Sequence, residues 1–310
     1  MKRTTIGLLT LLIALFPGGG VARQNSTEAP AGKAADAGNS WMRKLDGGMS
    51  IAQLSIPGTH DSGALYEPVP GTTKCQNLRI AEQLNAGVRF LDIRCRHIHS
   101  GFTIHHGPVY QNQNFDDVLG ATSKFLKDNP GETVLMSVKE EYDASDNKES
   151  FEQTFAKYVA KNPGLWYLGA RIPTLGQARG KIVLIRRFGA STVPLGIDAS
   201  VWPDNTTFSV GPTLRVQDNY QVSTDGTKWG QIRQMLNEAN TGPPSTLYLN
   251  FASGYRSGPF GIPNIPSVSE TIDPDLTSYF SSNPGARCGV IIMDFVTPNL
   301  CSLVYKHQKP

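Results

Sequence analysis

The chain has no Cys-x-x-Cys pair, no block of consecutive Lys and Arg, and no internal repeat. Beyond its N-terminal segment it has no apolar run of membrane-spanning length. Each absence removes a class of function. Without Cys-x-x-Cys spacing, the four cysteines do not read as a zinc-binding set. The formal charge is +3 over 310 residues and the basic residues are scattered, so nothing supports nucleic-acid binding. Such a balance suits at most a passing contact with an anionic membrane surface. A transmembrane helix needs roughly 18 or more apolar residues in succession, and no run approaches this.

What is present divides the chain into three parts. Lys2 and Arg3 precede a mostly apolar run from Ile6 to Phe16, which Pro17-Gly18-Gly19-Gly20 ends. Small residues follow at Gly20 and Ala22. This pattern reads as a secretory signal peptide over residues 1–22, so the mature protein is expected to be secreted. Residues 23–44, rich in Ala, Gly, Asn and Ser, read as a flexible leader. Residues 45–310, with a hydrophobic content of 39% for the chain, read as one barrel domain.

Within that domain eight strand-like runs stand out: Ala52–Ile56, Val88–Ile93, Phe102–His105, Thr133–Lys139, Ile182–Arg186, Leu214–Gln217, Leu247–Phe251 and Gly289–Phe295. Several are separated by helical stripes. Phe115, Val118, Leu119, Thr122, Phe125 and Leu126 recur at helical spacing, and Asp128-Asn129-Pro130-Gly131 stops the pattern. Phe151, Phe155, Tyr158 and Val159 form a second stripe, and Ile232, Met235 and Leu236 a third. Alternation of this kind predicts an α/β fold, a single (βα)8 TIM-type barrel. It must be irregular, because no helix fits between Ile93 and Phe102.

The stretch around which these runs are arranged is Ser55–Gly63 (SIPGTHDSG), where an apolar run breaks into Pro and Gly and exposes His60 beside Asp61. Charged residues also interrupt the other strand ends. Asp92 and Arg94 share one face of their strand, with Ile93 on the other. His105 and His106 end the third run, Lys139, Glu140 and Glu141 the fourth, and Arg186 and Arg187 the fifth. Asp218 and Tyr220 follow the sixth, and Asp294 ends the eighth. Repeated charge at one end of apolar strands predicts a polar pocket across the barrel mouth. Two histidines can divide a phosphoryl transfer into proton removal and proton donation. An arginine suits the charge of the phosphorus intermediate. The residue types therefore point to metal-free cleavage of a phosphodiester by an internal hydroxyl.

Secretion would permit disulfides. Cys75 and Cys95 are both expected at one end of the barrel and so could pair, whereas Cys288 and Cys301 are expected at opposite ends and unpaired.

These runs, taken in order, resemble the bacterial-type phosphatidylinositol-specific phospholipases C, the X-domain barrels. The resemblance rests on Ser55–Gly63, on Phe90–Arg96, and on His105–Tyr110 (HHGPVY). It extends through Phe125–Tyr142, Ala178–Arg187, Trp202–Phe208 (WPDNTTF), Val216–Tyr220 (VQDNY) and the strand carrying Asp294. It implies cleavage of phosphatidylinositol to diacylglycerol and inositol 1,2-cyclic phosphate, with slower hydrolysis of the cyclic product. By position it makes His60 the general base oriented by Asp294, and His106 the general acid assisted by Asp61. Arg94 would bind the phosphate. Lys139, Arg187 and Asp218 would hydrogen-bond the inositol hydroxyls, Tyr220 would stack on the sugar, and Asp92 and Glu141 would support them from behind. Calcium-dependent members carry an acidic residue where this chain has Arg94, so the resemblance implies no metal and no cofactor. A calcium-dependent phosphodiesterase and a non-catalytic phosphoinositide-binding barrel are the alternatives. The implied partners are phosphatidylinositol in membranes, in transient peripheral contact, and GPI-anchored proteins, with no nucleic acid and a monomeric enzyme.

Three further expectations concern the pocket's surroundings. His105 and Arg186 should face away from the pocket, and His97 and His99 should be solvated loop residues. Metal-free relatives often carry exposed tryptophans in two loops that here, at 68–74 and 253–268, contain none. Tyr255, Phe260, Ile262 and Ile265 could form a substitute apolar rim.

Overall fold

The computed structural model describes residues 38–308; the proposed signal peptide and most of the leader lie outside the described residues. Residues 38–44, counted above with the leader, instead form a short 3-10 stretch with Trp41 and Met42 buried. Trp41 donates through Nε1 to the Gly87 carbonyl at 2.9 Å and stacks on Tyr305 at 5.5 Å. The polar Gly38-Asn39-Ser40 run gave no periodicity from which to foresee this.

The strands, in chain order, are β1 (Ile56–Thr59), β2 (Phe90–Ile98), β3 (Gly101–His106), β4 (Val109–Asn114), β5 (Val134–Glu140), β6 (Trp166–Tyr167) and β7 (Ile182–Arg187). They continue with β8 (Ile197–Asp198), β9 (Thr206–Val210), β10 (Leu214–Asp218), β11 (Leu247–Phe251), β12 (Arg256–Ser257), β13 (Pro263–Asn264) and β14 (Val290–Met293). The helices are α1 (Ile80–Ala86), α2 (Phe115–Asp128), α3 (Phe151–Lys161), α4 (Leu175–Ala178), α5 (Asp225–Thr241), α6 (Pro266–Ser282) and α7 (Pro298–Tyr305).

A curled parallel sheet runs β7-β5-β2-β1-β14-β11-β10, closed at one edge by the antiparallel β9. At the other edge β6 and β8 both pair with β7, one at each end of it. No ladder joins β8 to β9 among the described residues, so the barrel is irregular and has a seam there.

Two expectations change. The Phe102–His105 run is not a barrel stave: as β3 it folds back antiparallel on β2 and pairs with β4. The link of two residues between β2 and β3 allows only a hairpin, whereas a parallel neighbour needs a long crossover. The expected first strand at Ala52–Ile56 lies later, at β1, because Ser50 caps a 3-10 turn over Ile51–Gln53. Pro57 and Gly58, read as a turn, are therefore inside the strand. Gly58 is needed there: a Cβ would lie 2.9 Å from Phe90 Cβ and 3.3 Å from Ile292 Cγ1.

Period-two alternation divides the apolar residues between two cores. Ile56, Phe90, Leu135, Val183, Ile185, Val216, Leu249, Val290 and Ile292 fill the barrel. Leu91, Ile93, Met136, Val138, Leu184, Ile291 and Met293 face the helices. The expected stripe of α2 is its buried face, residue for residue. At the N-terminal ends of the strands, the Arg89–Glu132 pair is fully buried at 2.8 Å. Arg89 also donates to the carbonyls of Leu84, Val88 and Gly38 and lies over the Phe125 ring. At the C-terminal ends, the same inward-facing register delivers polar residues instead.

Candidate active site

The inward register of β2 ends in Asp92 and Arg94, that of β5 in Lys139, and that of β7 in Arg187. Asp218 ends β10, and Asp294 follows β14. His60 and Asp61 follow β1 directly, held by His60 N–H donating to Met293 O and Ser62 N–H to Asp92 O. Asp61 takes a positive φ of 34°, which turns the chain sharply and buries its carboxylate. Gln76 ties this turn to β14: its Nε2 donates to the carbonyls of His60 and Met293, each at 2.9 Å.

His60 lies between two charged groups. Its Nδ1 is 2.8 Å from Asp294 Oδ1, and its Nε2 is 2.8 Å from Arg94 Nη2. Because arginine only donates, Nε2 accepts and the ring is neutral with its proton on Nδ1. Burial opposes the charged ring, but Asp294 outweighs it, and the His60 pKa is raised. Asp92 is fully buried. It accepts from Arg94 Nε at 3.1 Å, from Arg187 Nη1 at 3.4 Å, and from Ser137 Oγ at 3.3 Å. Burial works against its ionisation, yet these cations hold it far below the usual carboxylate range. Asp92 thus fixes both arginines in place.

The second histidine sits at the end of β3. His106 Nδ1 lies 3.3 Å from Asp61 Oδ2, 2.9 Å from Thr73 O, and 3.6 Å from Cys75 Sγ. Burial pushes the Asp61 carboxyl up to about 7. Burial, with the charge of Arg94 and of His60 when that ring is protonated, pushes His106 down to about 4. Both directions disfavour the charged pair. An anion beside Arg94 would reverse the arginine's effect on His106.

A polar wall completes a cavity of about 550 Å³. Lys139 pairs with Glu141 at 2.9 Å, and Glu141 also accepts from Gly107 N. Burial opposes ionisation of Glu141, but Arg94 and Lys139 hold it down to about 2. Arg187 stacks over the Trp202 ring at 3.7 Å, and Trp202 Nε1 donates to Asp218 Oδ2 at 2.9 Å. Tyr220 donates to Asp204 Oδ1 at 2.6 Å, and its ring lies 6.0 Å from that of Tyr255. All eleven expected site residues are in or directly behind this cavity. Sequence reasoning missed Trp202, Asp204 and Tyr255. Trp202 had a signal in the WPDNTTF run, whereas Tyr255 was expected in the apolar rim and not in the cavity wall.

Several neighbours differ from expectation. All four cysteines are free and buried; Cys75 faces His106, and Cys95 points from β2 into the outer core, so they do not pair. His97 is not solvated: it is buried on β2, bonded through Nε2 to Thr154 Oγ1 and packed edge-on against Phe102 and Phe151. Arg186 does face away, toward Leu195 O, Phe188 O and Asp198. Of the four expected rim residues, Phe260 and Ile262 are exposed. Ile265 is buried, packed with Ala64 and Cys75, and Tyr255 lines the cavity. The 68–74 loop meets this rim where Ile265 N donates to Gly71 O, and it adds the exposed Val69.

Residues 55–188 match the family described as phosphatidylinositol-specific phospholipase C, X domain. The chain is 34% identical over 275 residues to the 1-phosphatidylinositol phosphodiesterase of Staphylococcus aureus (strain Newman), covering 82% of this chain and 87% of that protein. The Listeria monocytogenes protein of the same name is 28% identical over 323 residues, covering 100% and 98%. Among solved structures, a phosphatidylinositol-specific phospholipase C from Staphylococcus aureus superposes with a TM-score of 0.80 at 31% identity, over 88% of this chain and 98% of that one. The Listeria monocytogenes enzyme gives 0.71 at 25% identity, over 88% and 100%. With sequence and barrel shared over most of both chains, the chain belongs to the phosphatidylinositol-specific phospholipase C family.

Proposed function

We propose that the chain is a secreted phospholipase C that cleaves phosphatidylinositol to diacylglycerol and inositol 1,2-cyclic phosphate without a metal. The observation that carries this reading is the pair of histidines gathered around Arg94, each against a buried carboxylate. His60 Nε2 takes the proton of the inositol 2-hydroxyl as that oxygen bonds to phosphorus, and Asp294 stabilises the imidazolium through Nδ1. The bond from phosphorus to the diacylglycerol oxygen breaks, and His106, assisted by Asp61, protonates that oxygen. Arg94 moves its Nη2 donor from His60 to a phosphate oxygen, which frees the base and meets the developing charge at once. Lys139, Arg187 and Asp218 hold inositol hydroxyls and Tyr220 covers the ring, with Asp92 and Glu141 behind them. The guanidinium fixed amid these carboxylates disfavours a calcium ion there.

The names of the Staphylococcus and Listeria relatives support the substrate, and a structural study of the Staphylococcus enzyme addresses its membrane binding. We extend this to transient membrane contact by a monomer, to GPI anchors as a second substrate, and to slow hydrolysis of the cyclic product. ³¹P NMR of the enzyme with phosphatidylinositol micelles in excess EDTA tests the reading. A cyclic phosphodiester signal that forms first and then decays is expected. Turnover only after Ca²⁺ is added would assign the calcium-dependent reaction, and none under either condition would leave a binding barrel.

A further inference from the structure

We propose that Asp61, Cys75 and His106 form a latent tetrahedral site for Zn²⁺, and that its occupancy switches the enzyme off. The three residues come from the turn after β1, the segment before α1, and the end of β3, so no sequence spacing reveals them. Their donor atoms all lie within 4.8 Å of one another. His106 Nδ1 is 3.3 Å from Asp61 Oδ2 and 3.6 Å from Cys75 Sγ. Ligands at the usual Zn–N, Zn–O and Zn–S lengths lie roughly 3.3–3.8 Å apart around a tetrahedron, so both separations are already tetrahedral edges. Thr73 O, 2.9 Å from the same ring nitrogen, supplies a further oxygen on that side.

A second observation is independent of the thiol. Neither carboxylate oxygen of Asp61 accepts a hydrogen bond, although the residue is completely buried. Such an acceptor suits a cation. Arg94, with Nε 3.9 Å from Asp61 Oδ2, opposes the metal, while one carboxylate and one thiolate balance its charge. Metal binding releases to solvent the Cys75 thiol proton and any proton on the Asp61 carboxyl, and it takes up the lone pair of His106 Nδ1, whose proton moves to the other ring nitrogen or to solvent. Cys75 is completely buried, which shields the thiol from solvent and keeps the site latent. The switch itself rests on the general-acid role proposed for His106. Once metallated, the ring is no imidazolium, and its remaining N–H is too weak an acid to protonate the leaving oxygen.

The full enzyme, freed of metal with EDTA and then dialysed, is titrated with Co²⁺ as a spectroscopic stand-in and with Zn²⁺ during turnover. We expect a thiolate-to-cobalt charge-transfer band in the parent that is absent in Cys75→Ser. We expect Zn²⁺ to inhibit the parent reversibly, at a concentration at least about tenfold below that needed for Cys75→Ser, since losing even an outer-shell partner of a metal ligand costs about 10–100-fold in affinity. Basal turnover of Cys75→Ser is recorded first, so that the Zn²⁺ inhibition of each protein is read relative to its own uninhibited rate. Cobalt bound to the parent without the band, or equal Zn²⁺ sensitivity of the two proteins, would overturn the site. The parent's cobalt spectrum decides even if the variant does not fold. An enzyme inactive in EDTA that still shows the band would count against the function proposed above and not against the metal site.

Discussion

His60 presents one ring nitrogen to Asp294 and the other to Arg94, so each neighbour should report a different defect when changed. Asp294→Asn keeps the shape but removes the charge that stabilises the imidazolium, and should lower kcat by roughly 10²–10⁴-fold. Arg94→Lys replaces a planar fork with a point charge, and a loss of roughly 10²–10³-fold is expected. Steady-state kinetics on micellar phosphatidylinositol check both, and an Asp294→Asn enzyme within tenfold of the parent would remove the base assignment. His106 gives a pH prediction. Burial first, and then Arg94 and protonated His60, push its pKa down to about 4. Phosphate bound at Arg94 cancels that charge and favours the protonated ring, so the pKa should rise. NMR titration of His106 with and without inositol phosphate should show an upward shift, and a downward one would contradict the electrostatic account. These residues were legible in the sequence because charge interrupting an apolar strand is conspicuous. Trp202 was legible only through the run it sits in, and Tyr255 was read as rim, since an aromatic in a loop looks the same whether it lines a cavity or faces a membrane. His97 was misread for a related reason: its partners, Thr154 and two phenylalanines, come from distant segments.

The elements divide by how they declare themselves. α2 and α3 carry apolar stripes at helical spacing; the buried face of α2 is its stripe, and that of α3 keeps Phe151, Phe155 and Tyr158 but takes Thr154, with Val159 only half-buried. β5, β7 and β11 are largely apolar, β10 alternates apolar and polar residues, and all four lie where expected. β6, β8, β12 and β13 have two residues each and carry no periodicity from which to be found. β1 shifted because Pro57 and Gly58 look like a turn, while the sheet uses them as strand. Pro57 still offers its carbonyl to Arg89 N, and Gly58 lets Phe90 close on β1. Gly58→Ala therefore forces a Cβ against Phe90 and Ile292. A loss of about 1–3 kcal/mol is expected from such overpacking, measured as a lower urea midpoint. An unchanged midpoint would mean that Phe90 moves aside freely.

At the scale of the molecule the two ends of the barrel have separate duties. The N-terminal end holds Arg89 and Glu132 fully buried, with the guanidinium also bonded to three carbonyls. Glu132→Ala leaves that charge unpaired and should cost about 3–5 kcal/mol of stability; urea unfolding checks it, and a change below 1 kcal/mol would show that the carbonyls alone suffice. The C-terminal end carries the proposed active site, and there Phe260 is fully exposed beside Ile262. Phe260→Ala should weaken vesicle binding while leaving turnover of a soluble inositol phosphodiester intact; sedimentation with lipid vesicles tests it, and equal binding would assign membrane contact elsewhere. The seam between β8 and β9 has its own consequence. Trp202 lies between these two strands, next to Arg187 and Asp218. The wall proposed to recognise the sugar therefore borders the place where, among the described residues, the staves are not laced together by backbone bonds. Amide protons along β8 should trade with deuterated solvent sooner than those of β5, which is bonded on both sides, and inositol seated in the cavity should slow that trade.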